Sequence, residues 1–303
     1  MTLKDQVIKN IVTRVIKSQD YRIEIVNLIN AEFLQFSIDF FKKVVEAKLN
    51  SKSITIDWYK ESFMKDSLPS DDIAINSGLN KKTISNMYRS ATKQIVIEAS
   101  NEHFESLYNS IQILVESEKE IDLTLTLKMN GVSVELNVSE SLIVINTLAV
   151  KRAALRGGLW STAGKRAEKY LMLTLCELFG VTEQYYNAEH FVKDKSLDVD
   201  REIDFYLKNE GVSYKCEVKL MGQGNPESAD AIIARGSHVF VADTLSQQNK
   251  NQCEQLGVNW VACRDCEGFR RFKKVLDKLR IPNKDYSGNL DEELPAILEK
   301  LFM

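Results

Sequence analysis

The sequence predicts an α/β (α+β) fold in which a mainly helical N-terminal region with a helix-turn-helix precedes a mixed-sheet core of αβββαβ order. Three observations lead to this prediction. Apolar residues recur at helical intervals up to residue 49, a glycine-centred pattern joins two short helices at residues 70–89, and helical and alternating segments follow one another after residue 147. The chain has 303 residues, 44% of them hydrophobic, so two domains are expected, over residues 1–146 and 147–303.

Charge and cysteine usage restrict the class of protein. The formal net charge of −3 is too small to attract nucleic acid over the whole surface, so any DNA contact must come from a local basic surface. The five cysteines are scattered and the start MTLKDQVIKN lacks the apolar run of a signal peptide, so a cytoplasmic protein is expected. No apolar segment approaches the roughly 18 residues of a membrane span, so no membrane partner is expected. Cys263 and Cys266 form a CxxC without further zinc ligands near them in sequence.

The first elements are predicted to be two amphipathic helices within Leu3–Leu49, because apolar residues such as Ile8, Ile11 and Val15 recur at helical spacing. The segment Ser51–Asp72 is polar and contains a proline, which predicts a connection to the next helix.

A helix-turn-helix is predicted at residues 70–89, where Ala74, Gly78 and Ile84 have the spacing found in many DNA-binding proteins. A small residue lets the helices approach, glycine permits a positive φ in the turn, and an aliphatic residue anchors the second helix. The polar residues predicted to face outward and to contact DNA phosphates and base edges are Asn80, Lys81, Lys82, Ser85, Asn86 and Arg89. The alternative is an ordinary helical hairpin with a solvated polar face.

A β-hairpin is predicted near residues 121–138, because apolar and polar residues alternate on both sides of Asn130-Gly131. The next segment, Ser139–Arg156, has a helical pattern. The glycines of RGGLWSTAGKRAEKY are expected to break that helix before a new one starts near Ala163, which places the domain boundary close to Thr147.

The C-terminal half alternates helical and strand patterns. Helices are predicted at residues 163–179, 226–234 and 245–256, and strands at 181–187, 201–208, 212–220, 238–243 and 259–263. This order implies a mixed sheet with helices on both faces.

Two carboxylates are predicted to meet on neighbouring strands of this sheet. With Glu210-Gly211 as a two-residue loop, Asn209 lies opposite Val212 and Asp204 lies opposite Glu217. With Asn209-Glu210 as the loop, the two acids become diagonal neighbours on the same face. Carboxylates this close repel each other, and a divalent cation would relieve the repulsion.

Hard oxygen ligands of this kind suit Mg²⁺. Lys219 stands on the same face as Glu217, where its ammonium can stabilise developing negative charge or help to activate the attacking water. The carbonyl of Val218 is a further candidate ligand.

The spacing of the two acids resembles the PD-(D/E)XK nuclease signature: Asp204 is followed by twelve residues and then by Glu217-Val218-Lys219, and Ile203 stands in place of the proline of the motif. Glu168 matches the additional acidic residue that many such nucleases carry. It can bind a second metal through water or pair on the surface with Lys165. Residues 151–170 contain six basic residues and one acidic residue, and Lys165 and Arg166 are the predicted phosphate contacts there.

Four segments of the sequence resemble the CfrBI family of type II restriction endonucleases: RGGLWSTAGKRAEK, REIDF, CEVKLMGQGNPESADA and HVFVADTLSQQNKNQCEQLG. The resemblance covers most of Arg156–Val261. It implies Mg²⁺-dependent cleavage of both strands of double-stranded DNA at a short palindromic site, a homodimer, and a partner DNA methyltransferase that protects host DNA. Sites of the CCWWGG kind are associated with that family.

The resulting hypothesis is a restriction endonuclease with an N-terminal recognition region and a C-terminal catalytic domain. Asp204, Glu217, Lys219 and Glu168 are the expected catalytic residues. Two alternatives stay open: a structure-specific nuclease such as a junction resolvase, and a helix-turn-helix DNA-binding regulator without catalytic activity.

Overall fold

The computed structural model describes residues 2–50, 54–117, 123–129, 131–188, 205–220 and 236–302. The chain divides into two compact units, residues 1–28 with 159–303, and residues 29–158. This division differs from the predicted one because the first 28 residues belong to the same unit as the C-terminal sheet. Within the described ranges, no helix combines the length and apolarity that a membrane span requires.

The described ranges contain the following helices and strands. The helices are α1 (Leu3–Ile16), α2 (Arg22–Leu49), α3 (Ile56–Phe63), α4 (Ser70–Asn76), α5 (Lys81–Tyr88), α6 (Lys93–Ser117), α7 (Val138–Leu178), α8 (Gln247–Gln255), α9 (Arg271–Lys278) and α10 (Leu290–Leu301). The strands are β1 (Leu125–Met129), β2 (Val132–Leu136), β3 (Tyr186–Asn187), β4 (Phe205–Asn209), β5 (Val212–Lys219), β6 (Val239–Ala242) and β7 (Asn259–Ala262).

The two predicted N-terminal helices are present as α1 and α2. Thr2 begins α1 with a capping box, in which its hydroxyl accepts the backbone N–H of Asp5 and the Asp5 carboxylate accepts the backbone N–H of Thr2. The predicted apolar stripe of α1 is buried, since Ile8 and Ile11 are almost completely inaccessible. Sequence periodicity therefore identified this core face correctly.

Helix α3 corrects the prediction of an irregular connection over residues 51–72. Thr55 caps the helix by accepting the backbone N–H of Trp58. Trp58, Tyr59 and Phe63 are buried in a core that also contains Phe40 and Phe104. The helix is short and its polar residues hide its periodicity, so the aromatic burial that stabilises it is visible only in the folded chain.

Residues 70–89, where the helix-turn-helix is predicted, contain two short helices, α4 and α5. Ala74 and Ile84 are fully buried at the helix contact, and Gly78 has φ 95°, the conformation that favours glycine. A Cβ at Gly78 would also approach the His103 ring to 3.2 Å. These helices pack against α6, whose Val96 and Ala99 complete the small core.

The predicted hairpin is the antiparallel pair β1 and β2, in which Met129 lies opposite Val132. The intervening loop contains Gly131 at φ 81°. Val134 and Leu136 are buried on one face of β2, and Leu136 belongs to the core built around α2, α3, α6 and α7.

Helix α7 corrects the predicted break at Gly157 and Gly158, because it continues without interruption for 41 residues. Glycine in a helix interior costs only about 1 kcal/mol relative to alanine, which packing elsewhere along the helix offsets. The predicted domain boundary at Thr147 falls inside this helix, whereas the two compact units meet in sequence at residues 158 and 159.

The C-terminal unit contains a mixed five-stranded sheet of order β3-β4-β5-β6-β7. Strands β3, β4 and β5 are antiparallel, and β5, β6 and β7 are parallel. Phe240 and Ala242 on one face of β6 pack with Cys253 of α8. This sheet agrees with the predicted arrangement of strands.

Two differences concern individual C-terminal elements. The strand predicted at residues 181–187 is reduced to β3, because a 3₁₀ turn occupies Glu183–Tyr185. The predicted helix at residues 226–234 and the first residues of the strand predicted at 201–208, including Asp204, lie outside the described residues.

Candidate active site and nucleic-acid interface

The hairpin of β4 and β5 has the first of the two predicted registers. Asn209 pairs with Val212 and Phe205 pairs with Cys216, so Glu210 and Gly211 form the two-residue loop. Both loop residues have positive φ, 48° and 80°, as a tight hairpin turn with the sheet's own twist requires. The register fixes which side chains of β5 share a face.

Glu217 and Lys219 form a buried ion pair on one face of β5. The Lys219 ammonium lies 2.9 Å from a Glu217 carboxylate oxygen, and the exposed fractions of the two side chains are 18% and 1%. Glu217 pairs in the sheet with Phe240, which is also buried. A carboxylate in such an apolar setting needs charge compensation, and the ammonium of Lys219 supplies it here.

Glu168 reaches the same strand from α7. Its carboxylate accepts the backbone N–H of Leu220 at 3.1 Å, immediately after Lys219. The residue is only 6% exposed, whereas Lys165 is exposed. Glu168 is therefore a buried group beside the end of β5.

Asp243 is a buried acidic residue that the sequence reasoning missed. It directly follows β6, its carbonyl accepts the backbone N–H of Arg264 at 2.8 Å, and the Arg264 guanidinium lies 3.7 Å from its carboxylate. Burial raises the pKa of the Tyr21 phenol, and the carboxylates of Asp243 and Glu168 raise it further. The signal was available, since VFVAD places an acid at the end of a wholly apolar strand.

Within the described residues, no three His, Cys, Asp or Glu side chains form a group that could hold a metal ion. Glu217 and Glu168 are described, but Asp204 is not. The described residues therefore do not include Asp204, the ligand that the sequence predicts to lie beside Glu217.

Lys165 and Arg166, the predicted phosphate contacts of α7, have different environments. Lys165 is exposed. The Arg166 guanidinium donates to the Asp5 carboxylate at 2.7 Å, and this bond raises the pKa of Arg166. Hydrogen bonds from Thr2 and then from Arg166 hold the pKa of Asp5 below its usual range. Arg166 thus has a structural partner within its own unit, and a phosphate would have to compete with Asp5 for it.

The outer face of α5 carries the predicted DNA contacts. Asn80 caps the helix by accepting the backbone N–H of Thr83 at 2.9 Å, and Lys81 lies 3.1 Å from Asp71. The side chains of Lys82, Ser85, Asn86 and Arg89 are exposed, and Ile84 alone is buried within α5. The helix therefore presents most of its polar surface to solvent, in the manner that groove binding requires.

Comparison with known proteins gives a family match. The family model described as CfrBI restriction endonuclease matches residues 5–250, which include α5, Glu168 and the hairpin of β4 and β5. No curated protein matches the chain.

Proposed function

Since the chain belongs to the CfrBI restriction endonuclease family, we propose that it is a type II enzyme that makes Mg²⁺-dependent double-strand cuts at a short palindromic DNA site. The family implies a nuclease with DNA as its substrate, and restriction endonucleases generally use divalent metals. The family does not favour the junction resolvase or the non-catalytic regulator.

The observation that carries the catalytic proposal is the register of β4 and β5. Phe205 pairs with Cys216, so continuing the register by one residue would pair Asp204 with Glu217. Asp204 lies outside the described residues, and its position is therefore part of the proposal. Paired carboxylates at the end of a sheet, with Glu168 nearby on α7, are suitable oxygen ligands for Mg²⁺.

In the proposed metal site, Asp204 and Glu217 are the carboxylate ligands, the carbonyl of Val218 is a further ligand and Glu168 is auxiliary. When bound, Mg²⁺ would supply positive charge that polarises the scissile phosphate and favours deprotonation of water. Glu168 already binds the N–H of Leu220, so it also orients the chain that follows Lys219.

The Lys219 ammonium is proposed to exchange one contact for another when metal and DNA bind. In the structure its ammonium compensates the Glu217 carboxylate. Once a cation compensates that carboxylate, the ammonium can turn to the attacking water or to the phosphate oxygen that gains negative charge. The ion pair would therefore hold Lys219 within reach of the reaction before metal and DNA bind.

DNA recognition is proposed for the face of α5 that contains Asn80, Lys81, Lys82, Ser85, Asn86 and Arg89, with Lys165 and Arg166 as backbone contacts elsewhere. The absence of acidic residues between Ile73 and Ile97 supports this assignment. A homodimer would match the two-fold symmetry of a palindrome, and a DNA methyltransferase is the expected functional partner. Sedimentation of the protein with its cognate duplex tests the dimer, and a monomer in that complex would contradict it.

Digestion of genomic DNA with Mg²⁺, followed by sequencing of the fragment ends, tests the proposed function. The expected result is a set of ends that share one short palindromic sequence. Glu217→Gln is the matched variant, because it keeps the shape of the side chain and removes the charge. Ends without a common sequence, or unchanged cutting by Glu217→Gln, would contradict the proposal.

A further inference from the structure

Helices α3 and α4 bind each other through two hydrogen bonds, each of which is accepted by the last carbonyl of one helix. The Tyr59 hydroxyl donates to the carbonyl of Asn76, the last residue of α4, at 2.8 Å. The Asn76 side-chain amide donates to the carbonyl of Phe63, the last residue of α3, also at 2.8 Å. The last carbonyls of a helix have no partner within it, so each helix supplies the donor that the other lacks. We call these two contacts the α3–α4 hydrogen bonds.

Tyr59 is held in place from its other sides. Its ring stacks on Phe104 with centroids 4.4 Å apart, and the residue is fully buried. Its hydroxyl lies 3.0 Å from the Thr147 hydroxyl of α7. Because the Tyr59 proton is donated to Asn76, its oxygen can accept from Thr147, whose single hydroxyl proton has the Ile143 carbonyl at 2.8 Å as its other acceptor. The hydroxyl thus joins α3, α4 and α7 at one point.

Helix α4 depends on these polar contacts for its orientation. It has only seven residues, and Ile73 and Ala74 are its buried apolar residues. Two buried apolar side chains pack α4 against Val96 and Ala99 of α6 but fix its tilt less tightly than directional hydrogen bonds at its end do. The turn at Gly78 joins α4 directly to α5, so a tilt of α4 would move the outer face of α5.

We infer that Tyr59 and Asn76 are positioning residues for DNA sequence selectivity. Neither residue lies on α5, and they act by fixing the angle at which Asn86 and its neighbours meet the base edges. Hydrogen bonds to base edges weaken steeply when donor and acceptor are displaced, whereas contacts to phosphates tolerate displacement better. The inference rests on the proposed role of α5 in DNA recognition.

The test compares Tyr59→Phe with Ser77→Ala. The first variant keeps the aromatic stack and removes only the hydroxyl. The second removes another buried hydroxyl of the same module, which donates to the Ala74 carbonyl at 2.8 Å and contacts neither Tyr59 nor α3 through that bond. Asn76→Ala removes the other α3–α4 hydrogen bond and should behave like Tyr59→Phe.

The measurement is the ratio of cleavage rates on the cognate site and on a site with one base pair changed. Tyr59→Phe and Asn76→Ala should lower this ratio by about tenfold, the size of one base-edge contact, and Ser77→Ala by less than about twofold. A simple loss of stability lowers both rates together and leaves their ratio unchanged. The ratio is measured at limiting enzyme, where weaker base-edge contacts slow cleavage of the cognate site.

An unchanged ratio in Tyr59→Phe, or an equal loss in Ser77→Ala, would overturn the inference while leaving the proposed function intact. A wild-type protein without any preference between the two sites would instead overturn the proposed function, and the role of Tyr59 and Asn76 would fall with it. The wild-type digest therefore separates the two failures before any variant is compared.

Discussion

Neutralising the buried pair of Glu217 and Lys219 should affect stability and cleavage in different ways. The perturbation is a cycle of Glu217→Gln, Lys219→Met and the double variant. At 2.9 Å the two charges attract by about 6 kcal/mol if the effective dielectric constant is about 20. Solvent near the partly exposed Lys219 ammonium screens this attraction, so a coupling of about 1 to 3 kcal/mol in the free energy of unfolding is expected.

Each single variant removes one charge of the pair and leaves the other without this compensation, whereas the double variant removes both charges. The double variant should therefore be more stable than the sum of the two single losses predicts. Urea unfolding monitored by circular dichroism measures the three free energies. Nicking of supercoiled plasmid with Mg²⁺ measures activity, and all three variants should lose at least about 100-fold of it.

Lys273→Met is the matched control for the charge cycle. Lys273 lies 2.8 Å from Asp277 on the exposed side of α9, where the exposed fractions of the side chains are 30% and 52%. Its loss should cost less than about 1 kcal/mol and leave cleavage unchanged. Additive free energies in the Glu217 and Lys219 cycle would refute the buried pair, and wild-type cleavage by Glu217→Gln would place the catalytic site elsewhere.

Three further predictions concern recognition and stability. Asn86→Ala should weaken binding to the cognate duplex by about 1 to 3 kcal/mol and hardly affect binding to random duplex, as measured by fluorescence anisotropy; equal losses would assign Asn86 to the DNA backbone or to no contact. Burial acts to raise the pKa of Glu140, but the N–H groups of Ile54 and Asn137 and the Lys48 ammonium lower it below its ordinary value of 4.5. Its contribution to stability should be complete above that value and fall as the pH drops through the lowered pKa. The destabilisation caused by Glu140→Gln, measured by urea unfolding, should therefore be smaller in acid than at neutral pH. A destabilisation that does not change with pH would contradict the assignment. Replacing Gly157 and Gly158 by alanine should raise the free energy of unfolding by about 0.5 to 1 kcal/mol each, because a Cβ at either position meets no atom within 4 Å; a lower thermal midpoint would show that these glycines serve another purpose.

Local sequence signals determined much of this protein. Three features each depend on neighbours in sequence: the turn at Gly131, the Gly78 turn between α4 and α5, and the alternation along Val212–Lys219. Backbone conformation and side-chain period are local properties, so they can be read without knowing what packs against them. The motif Glu217-Val218-Lys219 was found in the same way.

Only the tertiary structure decided the features that depend on distant residues. It showed that α3 forms because its aromatic residues are buried, that α7 continues through Gly157-Gly158, and that the first 28 residues belong to the unit that contains the sheet. It also buried Glu168 against Leu220 and placed Asp243 at the end of β6. Burial, helix continuation and the pairing of charges are set by the sum of many contacts between residues far apart in sequence, and that sum outweighs local propensities of about 1 kcal/mol or less.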